Sequence, residues 1–359
     1  MIIPSIIQSA KVKRLQAKLT IPFRIALGQH DSLDNVLFEI TLADGTRGYG
    51  EAAVATHITG ETVEGTIHNL EKAAECFIGR DGADYLRISG EFGERLAGNP
   101  CALAALEMAL LDALTCQWKM PLWRFFGPKL RMLKTDMTVV LGNVPEAETL
   151  TRAIYRRGIR SFKVKVGRNQ DEDFERLLRV RKQIGKCPVY LDANQSFSAE
   201  EALRFLRRLE RAGIRPVLIE QPVHKKDWEG LKKVTRGTRV TVLADESVSS
   251  LADAVRLIRG QYADAINIKL MKFGVFRARE IAVLAQASGV KLMIGSMMES
   301  LLAATAAAHL ASSLGRFDYV DLDTPLFVRD RIMKKSYLSR DGVYDLRPVR
   351  AGIGIVPAA

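Results

Sequence analysis

The sequence predicts a parallel βα barrel preceded by an α+β segment, and three observations predict it. Eight short apolar runs end near residues 139, 165, 192, 220, 245, 269, 295 and 321. From Lys165 through Asp192, Glu220 and Asp245 to Lys269 the steps are 27, 28, 25 and 24 residues, about one strand plus one returning helix. Lys165, Asp192, Glu220, Asp245, Lys269 and Asp321 all fall at the C-terminal ends of these runs, the rim on which such barrels build their chemistry.

Taken in order, residues 36–42 alternate as a strand, turn at Ala43-Asp44-Gly45 and resume at Tyr49-Gly50-Glu51, which predicts a hairpin. Helical spacing follows over 65–77 and 100–118, the second rich in Ala and Leu and interrupted by Glu107 and Asp112. From Thr135 the texture becomes a strict alternation of strand and helix. Strands are predicted at 135–141, 161–166, 189–192, 217–220, 241–245, 265–269, 291–294 and 319–321, with helices between them at, for example, 173–183, 199–212 and 276–287. Residues 342–346 and 353–356 look like strands again, so the tail is expected to return to the first domain.

A chain of 359 residues with 47% hydrophobic and 7% aromatic residues can bury a large core. Its apolar opening precedes Lys11, Lys13 and Arg14, the reverse of a signal peptide. The longest apolar stretches, around 101–114 and 301–314, are broken by Glu107, Asp112 and His309 and fall short of a bilayer span. We therefore expect a soluble, cytoplasmic protein with no membrane partner. Cys76, Cys101, Cys116 and Cys187 form no CxxC pair, which predicts reduced thiols. The net charge of +12 raises the question of a nucleic-acid partner. Its basic pairs (Arg207–Arg208, Lys225–Lys226, Lys232–Lys233, Lys334–Lys335) are dispersed and lack interleaved aromatics, so a solvated basic surface is expected and no nucleic acid. Salt-sensitive retention of RNA or DNA without Mg²⁺ binding would favour that remote rival.

Asp192, Glu220 and Asp245 end neighbouring strands, so their carboxylates should converge, repel one another and call for a cation. An all-oxygen set with few protein ligands suits Mg²⁺. Lys165 and Lys269 end strands two and six, opposite walls of an eight-strand ring. Lys163, two residues before Lys165, also points inward. Two adjacent ammonium groups and a nearby Mg²⁺ would favour a neutral Lys165 able to take a proton. An amine on each face of a carbon next to a metal-bound carboxylate can remove a proton from one side and return one from the other. Each lysine is then base in one direction and acid in the other, and Mg²⁺ stabilises the developing enediolate.

With these residues in place the chain resembles the enolase superfamily, in its muconate lactonizing enzyme subgroup, over nearly its whole length. The resemblance rests on Gly48-Tyr-Gly-Glu51, Lys163-Val-Lys-Val-Gly167, Asp192-Ala-Asn194, Glu220-Gln-Pro222, Asp245-Glu-Ser247 and Asn267-Ile-Lys-Leu-Met-Lys272. It implies an α/β architecture: a (β/α)7β TIM-like barrel over residues 126–326, and an α+β capping domain formed by residues 1–125 with the tail 327–359. Asp192, Glu220 and Asp245 would hold one Mg²⁺, and Lys165 and Lys269 would be the acid/base pair. Asp321-Leu322-Asp323 looks like the Asp-x-Asp motif by which dipeptide epimerases hold a substrate's N-terminal ammonium, and Gly295–Ser300 is similar to the same branch. The expected function is Mg²⁺-dependent epimerisation of a dipeptide at its C-terminal α-carbon.

Lys163, Ser296, Met298 and Arg24 are expected at the substrate, Asn194 and Gln221 in support, and the enzyme as a homo-oligomer. In the branch acting on L-Ala-D/L-Glu an arginine of the first capping loop faces the glutamate; this chain has Gly28 there, with Arg24, Gln29 and His30 nearby. The loop from His57 to Glu61 is expected to be the other specificity segment, with His57 and Glu61 reading equally as solvated loop residues or as substrate contacts. The nearest rivals are N-acylamino-acid racemase, o-succinylbenzoate synthase and muconate cycloisomerase chemistry. Their substrates lack the ammonium, so Asp321→Asn and Asp323→Asn would be nearly harmless.

Overall fold

The computed structural model describes residues 4–25 and 28–358, with the side chain of His57 outside the description. Eight parallel strands run in sequence order around one sheet: Met137–Val139, Phe162–Lys165, Val189–Asp192, Leu218–Glu220, Thr241–Ala244, Ala265–Ile268, Lys291–Gly295 and Tyr319–Asp321. The Asp136 N–H donates to the Val320 carbonyl (3.1 Å) and the Leu322 N–H to the Thr135 hydroxyl (2.8 Å), joining the last strand to the first and nearly closing the ring. Returning helices such as Gln170–Ile184, Ala199–Arg211 and Val275–Ala287 start within a few residues of the predicted positions. Ser198 and Asn143 open two helices as capping boxes with Glu201 and Glu146, satisfying amides that the first turn leaves free. Inside the ring Tyr190, Leu218, Leu243, Ala265 and Met293 form a separate apolar layer below the rim.

The first third is a three-stranded antiparallel sheet, Ile7–Ile25, Gly28–Leu42 and Arg47–Ala52, backed by helices Val63–Phe77, Tyr85–Arg95 and Pro100–Gln117. Helix Pro100–Gln117 is 18 residues long and apolar enough to pass for a membrane span, contrary to the sequence expectation. It is a core helix, 78% buried between sheet and barrel. The Gly48-Tyr49-Gly50 motif is explained by close approach to it: a Cβ at Gly50 would lie 1.9 Å from the Ala105 carbonyl oxygen, and one at Gly48 2.1 Å from that of Ala109. The two acids that interrupt this helix tie distant segments together. Glu107 accepts from the Val275 and Phe276 amides at the start of a barrel helix, and Asp112 accepts from the Tyr49 and Ile353 amides.

The tail departs from expectation. Only Val343–Tyr344 is a strand, and it pairs with Leu133–Lys134 beside the barrel; residues 353–356 form no strand. Here the chain is held by single contacts, Gly352 bridging to Pro121 and the Ile353 amide reaching Asp112. Val328, at the start of the tail, bridges to Leu19 of the first strand.

His309 ties this tail to the barrel. Its Nδ1 accepts from the Trp123 N–H (2.9 Å), so Nε2 carries the proton and faces the Ile353 carbonyl (3.1 Å). Burial pushes its imidazole from 6.5 down to about 4. A folded-state value below the unfolded one gives stability that is present above pH 6.5 and lost as pH falls through 4, worth roughly 3 kcal/mol at full strength. Glu107 and Asp112, both pushed up to about 7 by burial, act in the opposite sense, so the difference between proteins isolates the histidine. His309→Gln should lose less stability than wild type between pH 6.5 and 4 in urea titrations, and parallel curves would refute this.

Candidate active site

The barrel places the rim residues in lateral rows: Lys165 sits opposite Asp192, and Asp192 opposite Glu220, on adjacent strands. Asp245 and Lys269 follow directly on strands five and six. All five side chains are buried, as are Lys163, Asp321 and Asp323.

Each acid is met by an ammonium group. Lys165 Nζ donates to Asp192 Oδ2 at 2.6 Å, and Lys269 Nζ donates to Asp245 Oδ2 at 2.7 Å. Lys163 Nζ lies 2.6 Å from Asp321, 2.7 Å from Glu220 and 3.1 Å from Asp192. Burial would raise the Asp192 carboxyl, but Lys165 and Lys163 outweigh it and hold the group at about 2. Asp245 is likewise driven down against burial, by Lys269 and Lys272. Glu220 goes the other way, to about 7, through burial and the neighbouring Asp192. Despite burial, Lys163 is held well above the usual lysine range by Asp321, Glu220 and Asp192. Lys163, the ammonium group that the sequence sets beside Lys165, is thus wrapped by carboxylates and stays charged.

The acids at the rim fit a hard cation. Glu220 Oε1 accepts from Asn267 Nδ2 (2.7 Å), while its buried Oε2 receives no aligned hydrogen bond and is ion-paired with the Lys163 ammonium at 2.7 Å. That oxygen, with the carboxylates of Asp192 and Asp245 on the flanking strands, belongs to an all-oxygen donor set compensated here by lysines. Among the described residues the one trio of acids with ligand oxygens all within 4.8 Å is a different one, Asp136, Asp321 and Asp323.

The supporting residues hold these groups in place. Gln221 Oε1 accepts from the Asp245 and Ser247 amides, and its Nε2 donates to the Ser247 hydroxyl and the Val223 carbonyl. Asn194 Oδ1 accepts from Lys165 Nζ (3.1 Å). Both residues adopt positive φ, 35° and 40°, strain that the surrounding hydrogen bonds must sustain. The sequence motifs include Asn267, Lys272 and Glu246 without giving them a role, and they miss Asp136. Lys272 Nζ donates to both the carboxylate and the carbonyl of Asp245.

Lys163, Lys165, Lys269, Asn194, Ser296, Met298, Asp321 and Asp323 line one cleft with about 520 Å³ of empty space, mouth included. Its outer wall is apolar: Phe23, Ile25 and Ile58 from the capping sheet and loop, Met297 and Met298 from the barrel. Arg24 is not part of this lining. Its guanidinium turns outward to Gln29 Oε1 (3.0 Å) and to Glu146 (3.6 Å), because strand alternation at Phe23 and Ile25 sends it to the other face. Of the candidate replacements, only His30 lines the cleft.

Barrel and rim together define an enzyme of the enolase type. Residues 146–359 match the enolase C-terminal-domain-like family, and residues 8–127 match the N-terminal domain of mandelate racemase/muconate lactonizing enzymes. The chain belongs to the mandelate racemase/muconate lactonizing enzyme family, on its dipeptide epimerase branch. It is 46% identical over 359 residues to the hydrophobic dipeptide epimerase of Citrifermentans bemidjiense, with 98% of each chain covered. To the L-Ala-D/L-Glu epimerase of Bacillus subtilis it is 36% identical, covering 97% of this chain and 96% of the other. The Enterococcus faecalis dipeptide epimerase, solved with Mg and the dipeptide L-Leu-L-Tyr, superposes with a TM-score of 0.93 at 31% identity, covering 97% and 99% of the two chains.

Proposed function

We propose that this protein is a Mg²⁺-dependent dipeptide epimerase that inverts the α-carbon of the C-terminal residue by two-base proton transfer. The observation that carries the reading is that Lys165 and Lys269, from strands two and six, line one cleft with Asp321 and Asp323. Asp192, Glu220 and Asp245 would hold the metal. When bound, Mg²⁺ supplies positive charge against the substrate carboxylate as proton loss turns it into an enediolate. Lys165 and Lys269 each take the α-proton from one epimer and return a proton to the other. Asp321 and Asp323 hold the N-terminal ammonium, and Lys163 supports the substrate carboxylate. Ser296 and Met298 border the side-chain end.

An apolar C-terminal side chain fits the cleft better than glutamate does. Phe23, Ile25, Ile58, Met297 and Met298 offer no cation, Arg24 is engaged elsewhere, and the capping sheet brings the His30 imidazole in place of an arginine's permanent charge. The relative of highest identity quoted above bears a name of the same sense. Four unpaired cysteines suit a reducing, cytoplasmic setting.

Incubation with pooled dipeptides and Mg²⁺ in D₂O is the test. Mass spectrometry should show deuterium entering the C-terminal α-position of apolar dipeptides during epimerisation, with exchange lost on chelation by EDTA and restored by Mg²⁺. No exchange with any dipeptide, or exchange untouched by chelation, would overturn the proposal.

A further inference from the structure

Behind the Asp321 and Asp323 pair lies a carboxyl that the reaction above does not use. Asp136 stands just before the first barrel strand, fully buried and outside the cleft lining, and neither of its oxygens receives a hydrogen bond. Its ligand oxygen lies within 4.8 Å of those of Asp321 and Asp323. The groups facing it are these two acids from strand eight and its turn, Lys163 from strand two and the Tyr190 phenol from strand three. Lys163, the cation of this set, is already shared among Asp321, Glu220 and Asp192. Asp323 is partly satisfied by the Thr138 amide at 2.6 Å.

An ionised Asp136 would add a third negative charge to a dry cluster with no donor to meet it. Burial, then Asp321 and Asp323, push its carboxyl well above the usual range, the same direction in which this dry, donorless geometry acts, and Asp323 beside it is raised to about 6. An ammonium arriving against Asp321 and Asp323 reverses the balance by supplying the missing positive charge.

We propose that Asp136 is a positioning residue behind the ammonium subsite that releases its proton to solvent when the substrate's N-terminal ammonium settles against Asp321 and Asp323. The O–H bond of Asp136 breaks, its electron pair stays on the carboxylate and the proton passes to buffer; nothing is oxidised or reduced. The inference rests on the dipeptide reading and adds to it a proton-linked selection for substrates with a free amino terminus.

The test is calorimetric titration of the Mg²⁺-loaded enzyme with L-Ala-L-Phe at pH 6.5, in two buffers of different ionisation enthalpy. At that pH the dipeptide amine, with its ordinary value near about 8, is almost wholly protonated. Wild type should release about one proton per dipeptide bound and Asp136→Asn close to none. N-acetyl-L-Phe, which meets the same lysines but has no ammonium, should release none by this route. Wild-type KM for the dipeptide should fall several-fold as pH rises from about 6 to 7.5, and the variant's should stay flat. Should Asp136→Asn not fold, the wild-type proton counts for the two ligands decide alone. Equal proton counts for dipeptide and N-acetyl compound, or for variant and wild type, would overturn the inference. Epimerisation without proton release sinks this inference only, whereas a wild type that neither binds nor epimerises any dipeptide sinks the dipeptide reading as well.

Discussion

Lys269→Ala is expected to abolish inversion while deuterium from D₂O still enters one of the two epimers, and Lys165→Ala should give the complementary pattern. Each amine reaches the α-carbon from its own wall, strand two or strand six, with strands three to five between them. Removing one amine leaves the other able to take a proton from its own face and return a deuteron there. Inversion needs both, so its rate should fall by at least about 10²- to 10⁴-fold, the ordinary contribution of a positioned acid or base. Both amines are tied to carboxylates in this structure, Lys165 to Asp192 and Lys269 to Asp245, and those acids would hold the metal, whose charge would compete with the amines for them. The same experiment without Mg²⁺ should therefore show exchange with neither epimer. Chiral separation followed by mass spectrometry reads both quantities. Either variant retaining inversion, or both losing exchange from the same epimer, would contradict a two-base arrangement.

The barrel was legible in the sequence because each βα unit is local: an apolar run, a charged residue at its end, and a helix of matching length. Register then did the rest, since the two-residue period placed Lys163 inward beside Lys165 and the lateral rows brought Lys165, Asp192 and Glu220 side by side. The long strand Ile7–Ile25 was not legible. It alternates buried residues with lysines and arginines, its pairing with Gly28–Leu42 shifts register between Lys18 and Phe23, and its partner is supplied by a later stretch of chain. Asp136 escaped notice, and Asn267 stood in a motif without a role, for a different reason. A lone acid or amide by a short strand reads as an ordinary polar residue, and its meaning comes from neighbours on strands far away in sequence: Asp321 for the first, Glu220 for the second.

Glu51→Ala should cost roughly 3–5 kcal/mol of stability and also loosen the substrate wall. Glu51 ends the capping sheet's third strand, fully buried, and accepts from four donors: Asn35 Nδ2, the Ser300 amide and hydroxyl, and the Ala303 amide. Three of these belong to the start of barrel helix Leu301–Ser313, so one carboxylate caps a barrel helix from the other domain. Burial raises the Glu51 carboxyl, and the bonds to Ser300 and Asn35 oppose that rise, which makes the donors, not solvent, its main support. Alanine would strand them in a dry interface. Asn35 also donates to the Met298 carbonyl at 2.8 Å, so its orientation is passed on to a residue lining the cleft. Urea denaturation should register the stability loss, and Glu51→Gln, which keeps the shape and one acceptor, should recover part of it. In steady-state kinetics Glu51→Gln should raise KM for apolar dipeptides more than it lowers kcat, because Met298 shifts while Lys165 and Lys269 stay on their strands. A fall in kcat with unchanged KM would mean that the clamp acts on the lysines instead.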